Sequence, residues 1–218
     1  MWIVSAWKTD KTKYPRTQKS ATSRPLELLH LDLMGPTRTD SLGVKRYIMV
    51  VVDDFTRYTW VILLRSKSNA PEHIEALYTR LQNEKSLKID RIRSDHGKEF
   101  ENSYMEPFCT RSGISQEFSA PKTPQQNGVV ERKNRVIQEM AKAMLHNKDV
   151  ARNLWGEAVN TTCHMVNRVY FTPDSKKTPY ELWKGRKPNV KYFRIFESTC
   201  FILKDRENVG KFDSRNDE

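Results

Sequence analysis

An aspartate set inside an apolar run is the feature that most restricts this chain. In Leu29-His30-Leu31-Asp32-Leu33 the surroundings are those of a strand, where a buried position normally takes an apolar residue and an unpaired charge is costly. Two further segments deliver acids at the edges of predicted elements. They are Arg93-Ser94-Asp95-His96-Gly97 and Asn127-Gly128-Val129-Val130-Glu131-Arg132-Lys133, with thirty-five residues between Asp95 and Glu131. Read singly, each acid has a structural alternative. Asp32 can cap or pair with a cation, Asp95 can serve a turn, and Glu131 can lie on a solvated helix face. Read together, three carboxylates on rigid elements can hold two divalent ions, which prefer oxygen ligands, for phosphoryl transfer on nucleic acid.

The charge balance fits such a substrate. Lys and Arg number 38 against 27 Asp and Glu, a formal net charge of +11, and the basic residues run through the whole sequence. A basic tail or simple solubility is the plainer explanation; the spread favours an electrostatic footprint for a polyanion. Charged residues at 30% and apolar residues at 37% indicate a globular chain. Cys109, Cys163 and Cys200 lie far apart and form no CxxC, so they are expected to be reduced, buried thiols and no zinc site. No apolar run approaches the roughly 20 residues that cross a bilayer, and no signal-like N-terminus stands out. The expectation is a soluble intracellular protein with no membrane partner.

Periodicity orders the elements. Residues 1–21 form a basic tail or the remnant of a preceding module. Strands are predicted over Leu26–Leu33, Tyr47–Asp53 and Tyr58–Leu64, the last two joined by the polar turn Asp53–Arg57, with Arg57 available to pair with the two aspartates. Ser68-Asn69-Ala70-Pro71 opens a helix with Ile74, Leu77, Tyr78 and Leu81 on one face. A strand over Ile89–Arg93, a short helix over Tyr104–Thr110 and a strand near Ile114–Phe118 follow. Ala120–Gly128, rich in Pro, Gln, Asn and Gly, reads as a loop. A long helix runs from Asn127 to about His146, with Val130, Ile137, Met140, Ala141 and Met144 as its buried stripe and Glu131, Arg135, Gln138 and Lys142 on another face. A second helix, Leu154–Tyr170, packs Trp155, Val159, Val166 and Val169. Trp155, Trp183 and Phe171 are expected in the core. Residues 189–218 make a connector with a hairpin over Phe193–Leu203 and a charged tail. The order of elements predicts an α/β layered domain with a mixed sheet.

Four motifs now carry a resemblance. Leu29-His30-Leu31-Asp32-Leu33-Met34-Gly35-Pro36, Asp53-Asp54-Phe55-Thr56-Arg57, Arg93-Ser94-Asp95-His96-Gly97-Lys98-Glu99-Phe100 and Pro124-Gln125-Gln126-Asn127-Gly128-Val129-Val130-Glu131-Arg132 resemble, in order and spacing, the catalytic core of a copia-type LTR retrotransposon integrase. The resemblance covers about residues 22–188, and the stretch from Tyr192 through Phe212 also resembles the connector that follows this core in plant copia polyproteins. It implies the RNase H-like fold, a mixed five-stranded sheet flanked by helices, with a short C-terminal extension. It implies that Asp32, Asp95 and Glu131 are the catalytic ligands of Mg²⁺ or Mn²⁺, two ions being expected. Implied too are metal-dependent 3′-end processing and strand transfer on DNA, a homo-oligomer when active, and a nuclear site of action after a cytoplasmic virus-like particle.

The candidate DNA contacts are Lys122, Gln125, Asn127, Arg132, Lys133 and Arg135. His96 is expected to be a hydrogen-bond partner near the site. The family's His-His-Cys-Cys zinc module has no counterpart, since no Cys precedes Cys109, so no zinc is expected here. Glu197-Ser198 stand where related elements carry Gly-Cys. These departures leave open an alternative: a catalytically silent or domesticated nucleic-acid-binding fragment of a decayed element. An RNase H-type hydrolase is a third reading, disfavoured by the Pro-Gln-Gln-Asn-Gly loop.

Overall fold

A computed structural model of the chain describes residues 22–119, 127–146, 150–173, 175–196, 198, 202–203 and 216–217. β1 (Leu28–Met34), β2 (Tyr47–Asp53) and β3 (Thr59–Leu64) form an antiparallel meander, because a five-residue turn between β2 and β3 can only fold the chain back on itself. α1 (Ala70–Lys85) then carries the chain over the sheet, so β4 (Arg91–Ser94) enters parallel to β1. α2 (Met105–Ser112) makes the next crossover, and β5 (Ser115–Phe118) pairs parallel with β4. The sheet order is β3-β2-β1-β4-β5. α3 (Gly128–His146), α4 (Trp155–Val169) and α5 (Pro179–Lys184) complete the described domain.

Both faces of the sheet are covered. Leu29, Leu31, Met49 and Val51 point to one side, where Ile74, Leu77, Tyr78 and Leu81 of α1 and Met105, Phe108 and Cys109 of α2 meet them. Ile48, Val50 and Val52 point to the other, against Val130, Ile137 and Ala141 of α3 and Trp155, Ala158 and Val159 of α4. This is a three-layer α/β/α arrangement whose central strands are apolar on both sides. The valine run of β2 reflects that double burial.

α5 is short yet firmly ended. Thr178 accepts a hydrogen bond from the Glu181 amide (3.2 Å), and the Glu181 carboxylate accepts one from the Thr178 amide (2.8 Å), a reciprocal cap. Gly185 closes the helix in the left-handed conformation at φ +70°. The helix thereby seats Trp183 edge-on against Trp60, ring centroids 4.8 Å apart, with the indole N–H donating to Glu84 (2.7 Å).

Side chains secure both edge strands. At the β3 edge, Asn167 of α4 donates to the Thr59 carbonyl (2.7 Å) and accepts from the Thr59 amide (2.9 Å), capping that peptide group. β5 is tied to β4 by Glu117, which accepts from Arg91 (3.1 Å) and Arg93 (2.9 Å).

Several expectations need correction. Val169 is exposed, because α4 rotates it past the α3 contact, and Phe171, placed in the core by its size, is 68% exposed. Met140 and Met144 are only half-buried, and Asn134 takes a buried place on α3 instead. Trp155 and Trp183 are buried as expected, as are Cys109 and Cys163, while Cys200 lies outside the described residues. The hairpin expected over Phe193–Leu203 is not seen: residues 193–196 form no strand and Ile202–Leu203 pairs antiparallel with Asn216–Asp217, while residues 197 and 199–201 lie outside the described residues. The basic stretch before Thr22 is likewise outside. Among the described residues, no helix is long and apolar enough to cross a membrane.

The amide of Asn167 supplies both partners of a buried backbone unit, so Asn167→Ala strands a donor and an acceptor. The expected loss is about 2–3 kcal/mol, read as a lower urea midpoint at constant slope. An unchanged midpoint contradicts this role.

Candidate active site

Side chains alternate along β1, so His30 and Asp32 share the face opposite Leu29 and Leu31. That face is the one α3 covers. Two amides fix α3 there. Asn127, immediately before the helix, donates to the Leu31 carbonyl (3.3 Å), and Asn134 donates to Asp32 Oδ2. Asp32 Oδ1 accepts from the Leu33 amide (2.9 Å). Glu131 lies one turn before Asn134 on α3 and is exposed.

Asp95 follows the end of β4, exposed, and accepts from the Gly97 amide (3.1 Å). Both side chains crowd Gly97: a Cβ there would meet Glu99 Cδ at 2.7 Å and Asp95 Oδ1 at 3.0 Å. Glu99 is thus a further carboxylate beside Asp95, and Lys67 answers it at 3.1 Å. His96 stacks on Phe118 (5.0 Å between centroids) and meets Glu101 through Nδ1 (3.2 Å), a supporting contact of the expected kind.

The three sequence-predicted acids come to one side of the sheet. Burial raises the Asp32 carboxyl above its ordinary range, and the negative charges of Asp95 and Glu131 push the same way, offset by its hydrogen bonds from Leu33 and Asn134. The acids therefore repel one another, a tension that a shared cation relieves. Their all-oxygen character suits a hard divalent ion. Among the described residues, however, no three His, Cys, Asp or Glu side chains are gathered closely enough to hold one ion together.

A second polar cluster stands behind Asp32 on the same face. Buried His30 meets Asp54 through Nε2 (3.0 Å), and Asp54 also accepts from Arg57 (2.8 Å) and Thr22 (2.9 Å). These bonds hold the Asp54 carboxyl far below the usual carboxylate range, against the opposing effect of burial. Asp53 serves the turn: it accepts from the Thr56 amide and hydroxyl and from the Leu26 amide. The pair is structural.

The candidate DNA contacts separate. Arg135 is exposed on the same stretch of α3 as Glu131, one turn on. Asn127 is 4% exposed and occupied with Leu31. Arg132 and half-buried Lys133 turn to the opposite side, towards α4. Lys122 and Gln125 lie outside the described residues. Asn134 was not anticipated; its only signal is a polar residue three places after Glu131, among positions that are otherwise apolar.

This geometry can be set beside known proteins. Residues 5–124 match the family model described as integrase core domain. The chain belongs to the integrase core domain family. It is 31% identical over 191 residues to the "Retrovirus-related Pol polyprotein from transposon TNT 1-94" of Nicotiana tabacum, covering 88% of this chain and 14% of that protein. A Pol polyprotein from transposon RE2 of Arabidopsis thaliana is 30% identical over 190 residues, covering 87% of this chain and 13% of that protein. The chain thus spans about a seventh of the length of the curated relatives it matches. Among solved structures, the HTLV-2 integrase catalytic core domain in complex with magnesium shares the fold, with TM-score 0.56, 21% identity, and coverage of 73% of this chain and 97% of that one. The five-stranded mixed sheet with flanking helices is accordingly the RNase H-like fold.

The electrostatics of Asp32 give a sign that can be checked. Its folded-state pKa is raised, so ionised Asp32 costs stability above that pKa, and the cost is absent below the ordinary carboxylate range, where both states are protonated. Asp32→Asn should raise the melting temperature in EDTA at pH 8 by about 2–4 °C, the response of a chain this size to roughly 1 kcal/mol. The gain should fade as pH falls towards 4. A lower melting temperature at pH 8 contradicts the repulsion.

Proposed function

We propose that this chain is the catalytic core of a copia-type integrase, acting on DNA by metal-dependent phosphoryl transfer. The observation that supports it best is the convergence of Asp32, Asp95 and Glu131 from β1, the end of β4 and the start of α3, close enough for their charges to raise the Asp32 carboxyl. Two divalent cations, Mg²⁺ or Mn²⁺, held by these three carboxylates would activate the attacking oxygen and neutralise the leaving one.

The chain's own residues do the positioning. Asn134 and the Leu33 amide fix the Asp32 oxygens, while exposed Asp95 and Glu131 would supply the other carboxylates of the ligand set. Lys67 neutralises Glu99, so that this fourth acid does not add its full charge beside Asp95. Exposed Arg135 approaches the DNA backbone on the same side. Two in-line displacements follow the same geometry: water attacks a phosphodiester near the element's 3′ end, and the freed 3′-hydroxyl then attacks target DNA. Each expels a 3′-oxygen as the leaving group and needs no covalent enzyme intermediate. The working form is a homo-oligomer on DNA ends in the nucleus, after passage through a cytoplasmic particle.

The net charge of +11 supports a second reading, a nucleic-acid-binding fragment without catalysis. One assay separates the two. The chain is incubated with a labelled DNA end and Mn²⁺ beside Asp95→Asn and Glu131→Gln. The expected result is nicked or joined product from the wild type and a loss of about 10²–10³-fold in each variant. Blank lanes throughout, with DNA still bound, would leave the binding reading alone.

A further inference from the structure

We propose that a second site, on the side of α3 turned away from the three carboxylates, takes an unpaired nucleotide of a nucleic-acid strand, its phosphate against Arg57, Arg132 and Lys133 and its base against Tyr170 and Phe171. It stands independently of metal-dependent catalysis.

The site is a cavity of about 350 Å³ between the β2–β3 turn, α3 and the end of α4, with a floor of valine and proline. That volume lies within the range of small-ligand clefts. Three cations line it, and the balance of charge is unmet. Arg57 is paired with Asp54, but Asp54 also serves His30 and Thr22. Among the described residues, neither Arg132 nor Lys133 has a carboxylate within ion-pair distance. Lys133 is moreover half-buried, lining the cavity beside Arg57 and Arg132. A half-buried cation beside other cations is stabilised by an incoming anion.

The second half of the ligand follows from the aromatics. Phe171 is 68% exposed and Tyr170 48%, an unfavourable hydration of two rings placed beside the cations. Cationic groups for phosphate interleaved with exposed rings for base stacking are the chemistry of single-strand recognition. A duplex keeps its bases stacked on one another and offers no ring face. The helix also relates the two sites. At about 100° per residue, Arg132 and Lys133 stand roughly 100° and 200° around α3 from Glu131. A strand seated here lies around the same helix from Glu131.

The test is fluorescence anisotropy of the full 218-residue chain with a fluorescein-labelled 12-nucleotide single strand. It is run in EDTA, so failure of the metal-dependent reading leaves it untouched. Phe171→Ser should weaken single-strand binding about fivefold or more and leave binding of the matching duplex unchanged. Arg132→Gln and Lys133→Met, the latter keeping the apolar stem, should each lower the slope of log affinity against log salt by about 0.7. Lys88→Gln, at a distant exposed loop, should match the wild type. Inorganic phosphate and a deoxynucleoside monophosphate should compete only near millimolar concentration, whereas an unlabelled strand competes at its own affinity. A monophosphate that competes as well as the strand overturns the strand assignment. Pocket variants that all bind like the wild type overturn the site itself; should Lys133→Met not fold, exposed Phe171 and Arg132 decide.

Discussion

The ladder between β1 and β2 fixes which side chains of β1 face which layer. Side chains alternate along a strand, so a slip of one residue would exchange Leu29 and Leu31 for His30 and Asp32, placing a histidine and a carboxylate against α1. Burial of the leucines opposes that slip, and so does the His30–Asp54 contact, which forms only when Leu29 stands opposite Asp53. The Asp32 carboxylate is therefore placed by hydrophobic selection on the other face of its own strand. Parallel pairing with β4 then brings Asp95 to the same end of the sheet.

Much of this was readable in advance because strong periodicity carries it. The valine run of β2 and the Ile74, Leu77, Tyr78, Leu81 stripe of α1 each report a large buried area within a few residues, and both lie where expected. The three acids stand out in the sequence only through the motifs around them. What escaped depends on distances between elements. Asn134 matters because α3 crosses β1 at that point, and nothing within α3 says so. Phe171 carries every local mark of a core residue, yet α4 ends two residues before it and the chain leaves the layer there. His30 and Asp54 are brought together by register alone.

α3 is the element on which the chemistry converges. Its first two turns present Glu131 and Arg135 on one side, bury Val130 and Asn134 on another, and turn Arg132 and Lys133 to a third. Glu131 is thereby turned away from Arg132 and Lys133, its immediate neighbours in sequence. Adjacent residues of opposite sign so act on different surroundings instead of neutralising each other.

The edges of the sheet bear on how the molecule behaves in company. A strand with free N–H and C=O groups invites another chain to pair with it. Here the Asn167 amide takes the place of a sixth strand's peptide group beside Thr59, while β5 offers only four residues at the other edge. Sheet-to-sheet growth is thereby discouraged, by a capped peptide group at one end and a short strand at the other. At the β3 end, two copies that come together must therefore meet through helices and loops rather than through backbone pairing.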